Sequence, residues 1–116
     1  MQQKKNKKQG LTVKDFFQKL SNIDNLKYDV KYTNAFRKNV EVCFKRNLDL
    51  ELLEAVIRIL AVDGVLPDKY YPHPLKNTKE RIMECHIKPD WLLLWQQNGN
   101  EMILVLVNTG THSDLL

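Results

Sequence analysis

A chain of 116 residues with a net charge of +4 is one domain of ordinary size, able to bury about two-thirds of the surface its unfolded form exposes. No apolar run approaches the roughly 18 residues of a membrane span, and the charged N-terminus lacks the apolar segment of a signal peptide, so a cytoplasmic protein is expected. Lys4, Lys5, Lys7, Lys8 and Lys14 have no acid among them; removing those five charges from +4 leaves −1 for the remaining 102 residues, which excludes a uniformly basic nucleic-acid-binding body.

Residues 1–10 are polar and lysine-rich without an apolar anchor, which predicts a disordered basic tail. An N-terminal helical extension follows over 11–26. Thr12 with Asp15 three residues on resembles a capping box, and Val13, Phe16, Phe17, Leu20 and Ile23 share one face. Such a face must pack either on the domain or on a partner. The main domain is expected over 27–116, beginning with strict alternation in Lys27–Thr33. Tyr28, Val30 and Tyr32 share one side of that half-buried strand.

Asn34 is positioned to cap a helix with Phe36, Val40, Cys43 and Phe44 inward. Its other face carries Arg37, Lys38, Lys45 and Arg46 against Glu41. That face is either solvated or a sequence-independent phosphate contact. About two residues later Asp49 caps a second helix, ended by Gly64 as a left-handed C-cap, so the pair should form an antiparallel hairpin. Pro67, Pro72 and Pro74 predict an irregular loop. Arg81–Ile87, Trp91–Gln97 and Met102–Val107 then read as strands, the last two joined by an Asn98-Gly99 hairpin signal. The order β-α-α-β-β-β predicts an α+β domain, a helical hairpin on a mainly antiparallel sheet.

Glu84 and His86 leave the same face of their strand. His73 precedes that strand, His112 follows the last one, and Asp90 opens the neighbour, so three histidines can converge at one end of the sheet. Histidine both gives and takes protons near neutrality. Cleavage of RNA by its own 2′-hydroxyl needs a base, an acid and a positive group, which a His/Asp cluster among basic residues supplies. Taken singly, each histidine reads as well as an exposed loop residue. Cys85-His86 has no second close-spaced ligand pair, so neither a metal nor another cofactor is expected. Trp91 and Trp95 alternate as core residues, and Cys43 and Cys85 sit in apolar patterns as free thiols.

HPL at 73–75, ECHIKPDWLLLW at 84–95 and TGTHSDLL at 109–116 resemble the YafQ branch of the RelE-type toxins of bacterial toxin–antitoxin modules. The likeness runs from Tyr28 to Leu116 and leaves residues 1–27 outside. It implies a RelE-like fold and a ribosome-dependent messenger-RNA endonuclease without metal. It also implies a monomer when free and a hetero-oligomer with a cognate antitoxin of the DinJ/RelB kind. His73, His86, Asp90 and His112 would be catalytic, with Glu84 and Trp91 in support. The chain departs from the pattern at Met83, where the family carries arginine, and at Leu116, where it carries phenylalanine. Arg81, expected on the same strand face as Met83, together with Lys88 and Lys79, would then supply positive charge. Met83 and Leu116 favour a second reading, a RelE-fold protein that only binds a partner. A ParE-type gyrase inhibitor is a third, opposed by the three histidines.

Overall fold

The computed structural model describes residues 10–76 and 79–115, so the expected tail, apart from Gly10, and Leu116 lie outside the described residues. Chain order runs α1 (Val13–Ser21), β1 (Asp29–Tyr32), α2 (Asn34–Lys45), α3 (Leu50–Asp63), a 3-10 turn (Asp68–Tyr70), β2 (His73–Pro74), β3 (Met83–Lys88), β4 (Trp91–Asn98), β5 (Ile103–Gly110) and α4 (His112–Leu115). The strands form one sheet in the order β1-β5-β4-β3-β2, antiparallel except for β1 beside β5. This is the expected α+β architecture with one short strand and one C-terminal helical turn added.

Strand alternation sorts the sheet into two faces. Cys85, Trp91, Leu93, Trp95, Leu104 and Leu106 point into a core shared with Phe16, Phe36, Val40, Leu53, Ile57 and Leu60 of the helices. Between Leu94↔Asn108 and Trp95↔Leu106 the register shifts by one residue on β5. This β-bulge at Val107 reverses the parity of the strand, so Thr109 joins Leu104 and Leu106 among the buried residues. A second shift on β3, at Ile87, lets Lys88 pair with Trp91 directly after His86 has paired with Leu92.

Local signals are mostly obeyed. Asp49 accepts from the Glu51 amide at 3.0 Å to cap α3, and Gly64 ends it at φ 78°. A β-carbon on Gly64 would lie 2.8 Å from the Tyr28 ring, so close approach as well as backbone sign requires glycine. Four corrections arise. Thr33, not Asn34, caps α2: its hydroxyl oxygen accepts from the Phe36 amide at 3.0 Å and donates to the Val107 carbonyl at 2.7 Å, tying the helix start to the bulge. The link between α2 and α3 is Arg46–Asp49, longer than expected, and turns through Asn47 at φ 64°. Asn98-Gly99 opens a longer loop than its two residues suggest. The Asn98 side chain accepts from the amides of Asn100 and Glu101, and Met102 takes φ 55° before β5 resumes. Finally, β3 starts at Met83 because Arg81 is at φ 56°, outside extended geometry.

α1 packs on the domain. Its cap forms as expected, Thr12 accepting from the Asp15 amide at 3.1 Å. Phe16 is 0% exposed and Leu20 and Ile23 are buried. Phe17 meets Tyr32 at 5.0 Å between ring centroids and Phe36 at 6.3 Å, which keeps the exposed Tyr32 against the helix layer. No described helix is long and apolar enough to cross a membrane. Phe16→Ala should lower unfolding stability by about 3–5 kcal/mol, the usual cost of truncating a buried phenylalanine. Urea denaturation measures this; an unchanged midpoint would separate α1 from the core.

Candidate active site

Because Cys85 faces the core, Glu84 and His86 project from the face of the sheet that the helices leave open. The short pairing of β2 with β3 sets His73 opposite Glu84. On the other flank, Leu92 lies between His86 of β3 and Gly110 of β5, and at 1% exposure it is the apolar floor of the cluster. His112 opens α4 just beyond Gly110. The three imidazoles consequently stand in a row, His73 to His86 at 6.2 Å and His86 to His112 at 6.0 Å between centroids. Tyr71 flanks the middle of the row, its ring 6.1 Å from that of His86.

Hydrogen bonding distinguishes the three rings. His73 Nδ1 lies 2.7 Å from the Tyr71 carbonyl and its Nε2 lies 2.9 Å from Glu84 Oε1. Both partners are acceptors, so both bonds form only when each nitrogen carries hydrogen, as in the imidazolium. His86 Nδ1 donates to the Pro89 carbonyl at 3.3 Å, and His112 Nδ1 donates to Asp90 Oδ1 at 2.7 Å. In each of these rings Nε2 has no partner among the described residues. A neutral ring with Nδ1–H engaged presents a lone pair at Nε2, and a protonated one presents a donor there. The row therefore offers one ring held at both nitrogens and two rings whose Nε2 is open to exchange a proton.

The segment holding His112 is itself tightly capped. Thr111 Oγ1 accepts from the Asp114 amide at 3.2 Å while Asp114 Oδ2 accepts from the Thr111 amide at 2.9 Å, a reciprocal capping box. Arg46 at the end of α2 donates to the same Asp114 oxygen at 2.7 Å. A β-carbon on Gly110, at φ 152°, would lie 2.9 Å from Asp114. Asp90 Oδ1 completes the anchorage by accepting from the His112 backbone amide at 3.2 Å as well as from the ring. The T-x-x-D spacing in THSD is the signal that finds Thr111 and Asp114 in the sequence. Arg46 and Tyr71 have no comparable signal.

The remaining expected residues separate. Trp91 is 1% exposed and faces the core, donating from Nε1 to Thr109 Oγ1 at 3.0 Å, so it supports the cluster from beneath. Lys88 is exposed beside His86. Lys79 is exposed in the turn before β3. Arg81 does not share a strand face with Met83 and instead lines a separate cleft with Gln96, Asn98 and Ile103. Met83 packs on the core face, opposite Glu84 and His86, so no charge is lost from the histidine row at that position. On α2, Arg37 pairs with Glu41 at 3.9 Å and Arg46 with Asp114, which leaves Lys38 and Lys45 of the expected basic face without a carboxylate partner among the described residues. Cys43 and Cys85 are free and buried, and burial pushes their thiols up to about 11 and about 12. Among the described residues, no group of three or more histidine, cysteine or acidic side chains is arranged to hold a metal ion.

Known proteins share this arrangement of elements. The toxin in the Escherichia coli DinJ–YafQ toxin–antitoxin complex superposes with a TM-score of 0.72 and 28% identity, over 78% of this chain and 99% of that one. A toxin from Helicobacter pylori, described as metal-bound, superposes with a TM-score of 0.72 and 38% identity, over 77% of this chain and 99% of that one. The fold is thus RelE-like, an α+β toxin fold with α1 added in front. In sequence, the mRNA interferase toxin YafQ of Escherichia coli strain B / BL21-DE3 is 31% identical over 88 residues, 75% of this chain and 94% of that protein. Residues 28–116 match the family described as the bacterial toxin of type II toxin–antitoxin system, YafQ, and the chain belongs to that family.

Two carboxyls set the pH range over which His112 is held. Hydrogen bonds from the His112 ring and then its backbone amide hold Asp90 below its ordinary 3.8. The Thr111 amide, with Arg46 assisting against partial burial, does the same for Asp114. A carboxyl depressed on folding contributes stability that is present above its ordinary value and is lost as the pH falls through the folded value. The Thr111 amide resonance, which reports its bond to Asp114, should therefore keep its bonded shift from neutrality to about pH 4, moving only in more acid solution. An NMR titration checks this, and movement complete by about pH 5 would contradict it.

Proposed function

We propose that this chain is a ribosome-dependent endoribonuclease that cleaves messenger RNA by attack of the substrate's own 2′-hydroxyl. The observation that carries the reading is the His73–His86–His112 row, with two Nε2 atoms open beside one doubly bonded ring. The relatives support the substrate: the Escherichia coli protein is named an mRNA interferase toxin. The DinJ–YafQ complex likewise supports restraint by an antitoxin of the DinJ/RelB kind; free of it, the toxin is a monomer in the cytoplasm on this reading.

His112 Nε2 takes the proton of the 2′-hydroxyl, and Asp90 on Nδ1 stabilises the imidazolium that forms. The 2′-oxygen then bonds to phosphorus and the bond from phosphorus to the 5′-oxygen breaks. His86, protonated at Nε2 and held by the Pro89 carbonyl at Nδ1, gives its proton to that departing oxygen. Lys88, and His73 when its ring is protonated between its two acceptors, offset the negative charge that accumulates on the phosphoryl oxygens. The products are a 2′,3′-cyclic phosphate and a 5′-hydroxyl, and exchange with water resets both histidines.

Induced expression followed by primer extension on a translated reporter message tests this. His112→Ala and His86→Ala should each lower the cleavage rate by about 10²–10⁴-fold, the usual contribution of a positioned acid or base. Asp90→Asn should fall between those variants and the unaltered protein. Cuts that persist at full rate in both histidine variants would sink the proposal.

A further inference from the structure

We infer that Tyr71 and the cleft beside it form a subsite for one nucleotide of the substrate, its base stacked on the Tyr71 ring and its phosphate held by Lys69 and Lys88. This rests on the reading of the histidine row as an RNA-cleaving site. Tyr71 ends the 3-10 turn in the left-handed region, at φ 55° and ψ 48°. A bulky residue rarely adopts that backbone, and here the strain serves two ends. The Tyr71 carbonyl is aimed at His73 Nδ1, while the ring is turned outward and left 74% exposed. It stands 6.1 Å from His86, edge to face at 67°.

The adjoining cleft, about 560 Å³, is lined by Lys69, Tyr71, His86, Ile87, Lys88 and Pro89. That volume is within the usual range for a small-molecule site. Ile87, Pro89 and the tyrosine ring make its walls apolar, and the two lysines place charge at its rim. Neither lysine pairs with a carboxylate among the described residues; Lys69 Nζ lies over the Tyr70 ring at 5.2 Å from its centroid. A flat uncharged ring joined to an anion is what such a site accommodates, as single-stranded nucleic acid is held elsewhere by aromatic platforms beside basic grooves. A protein surface gains less from it, because two unpaired cations would have to be desolvated. The cleft opens onto His86, which protonates the departing 5′-oxygen in the mechanism above. The base on Tyr71 is consequently that of the nucleotide 3′ to the cut.

The full-length protein, free of antitoxin, is titrated separately with AMP, GMP, CMP, UMP and inorganic phosphate while the Tyr71 ring protons are followed by NMR. Each nucleotide should shift those protons upfield, and phosphate alone should not. Tyr71→Asn, chosen because asparagine tolerates the left-handed backbone, should weaken nucleotide binding about ten- to hundred-fold, with Tyr71→Phe close to the unaltered protein. On translating ribosomes Tyr71→Asn should raise KM by a similar factor with kcat little changed, and flatten any preference for the base 3′ to the cut. Cleavage with unaltered KM in that variant would overturn the subsite while leaving the nuclease reading intact. Absence of cleavage by the unaltered protein would overturn the nuclease reading, and the nucleotide titration would then decide the subsite alone. Ring protons that ignore nucleotides, or follow phosphate equally, would overturn it. So would a Tyr71→Asn variant that loses antitoxin binding but not nucleotide binding.

Discussion

One buried contact holds the two halves of the histidine cluster together. The Trp91 indole donates to Thr109 Oγ1, whose hydroxyl in turn donates to the Leu92 carbonyl at 2.7 Å. Asp90 immediately precedes that tryptophan, and His112 follows that threonine by three residues. The chain of donors thus clamps the ends of β4 and β5 from which the Asp90–His112 pair springs. Each of these groups is buried, and breaking such a bond leaves a polar atom unsatisfied at a cost of about 1–3 kcal/mol. The bulge at Val107 is what makes the contact possible. Without its extra residue Thr109 would project from the open face, and the indole would have no acceptor.

Geometry of this kind explains what the sequence discloses and what it withholds. Alternation in MECH separates the faces of β3 correctly, with Met83 and Cys85 toward the core and Glu84 and His86 away from it, and Trp91 and Trp95 of β4 both face the core as their spacing predicts. Asp49 and Gly64 announce the ends of α3, since both act within a few residues of their own position. The convergence of His73, His86 and His112 is readable for the same local reason, each lying at a strand end next to a motif. The bulge is different. It is a relation between two strands, and nothing in ILVLVNTG marks where the parity reverses. Arg81 and Tyr71 escape too, because a left-handed backbone at a bulky side chain is imposed by surroundings that no residue type encodes. Both departures from alternation matter: one removes Arg81 from the site, and the other turns the Tyr71 ring outward.

Charge is distributed to match. The chain apart from its lysine-rich start is close to neutral, and Arg37 of α2 and Arg46 just after it pair with Glu41 and Asp114. Arg46 therefore serves the architecture of the C-terminal turn. Positive charge near the histidines comes instead from Lys69 and Lys88, a local patch of short range in physiological salt. Such a modest field fits the proposed dependence on the ribosome better than cleavage of free RNA.

The two thiols have a use that lies outside the chemistry of RNA. Burial raises Cys43 to about 11 and Cys85 to about 12, so almost no thiolate exists at neutral pH and neither sulfur is reached from solvent. Cys85 separates Glu84 from His86 along β3 yet looks into the opposite side of the sheet. An alkylating reagent can attack it only when that strand parts from the helices. Its labelling rate is accordingly a clock for opening of the layer beneath the site, read from the native sequence without an introduced probe.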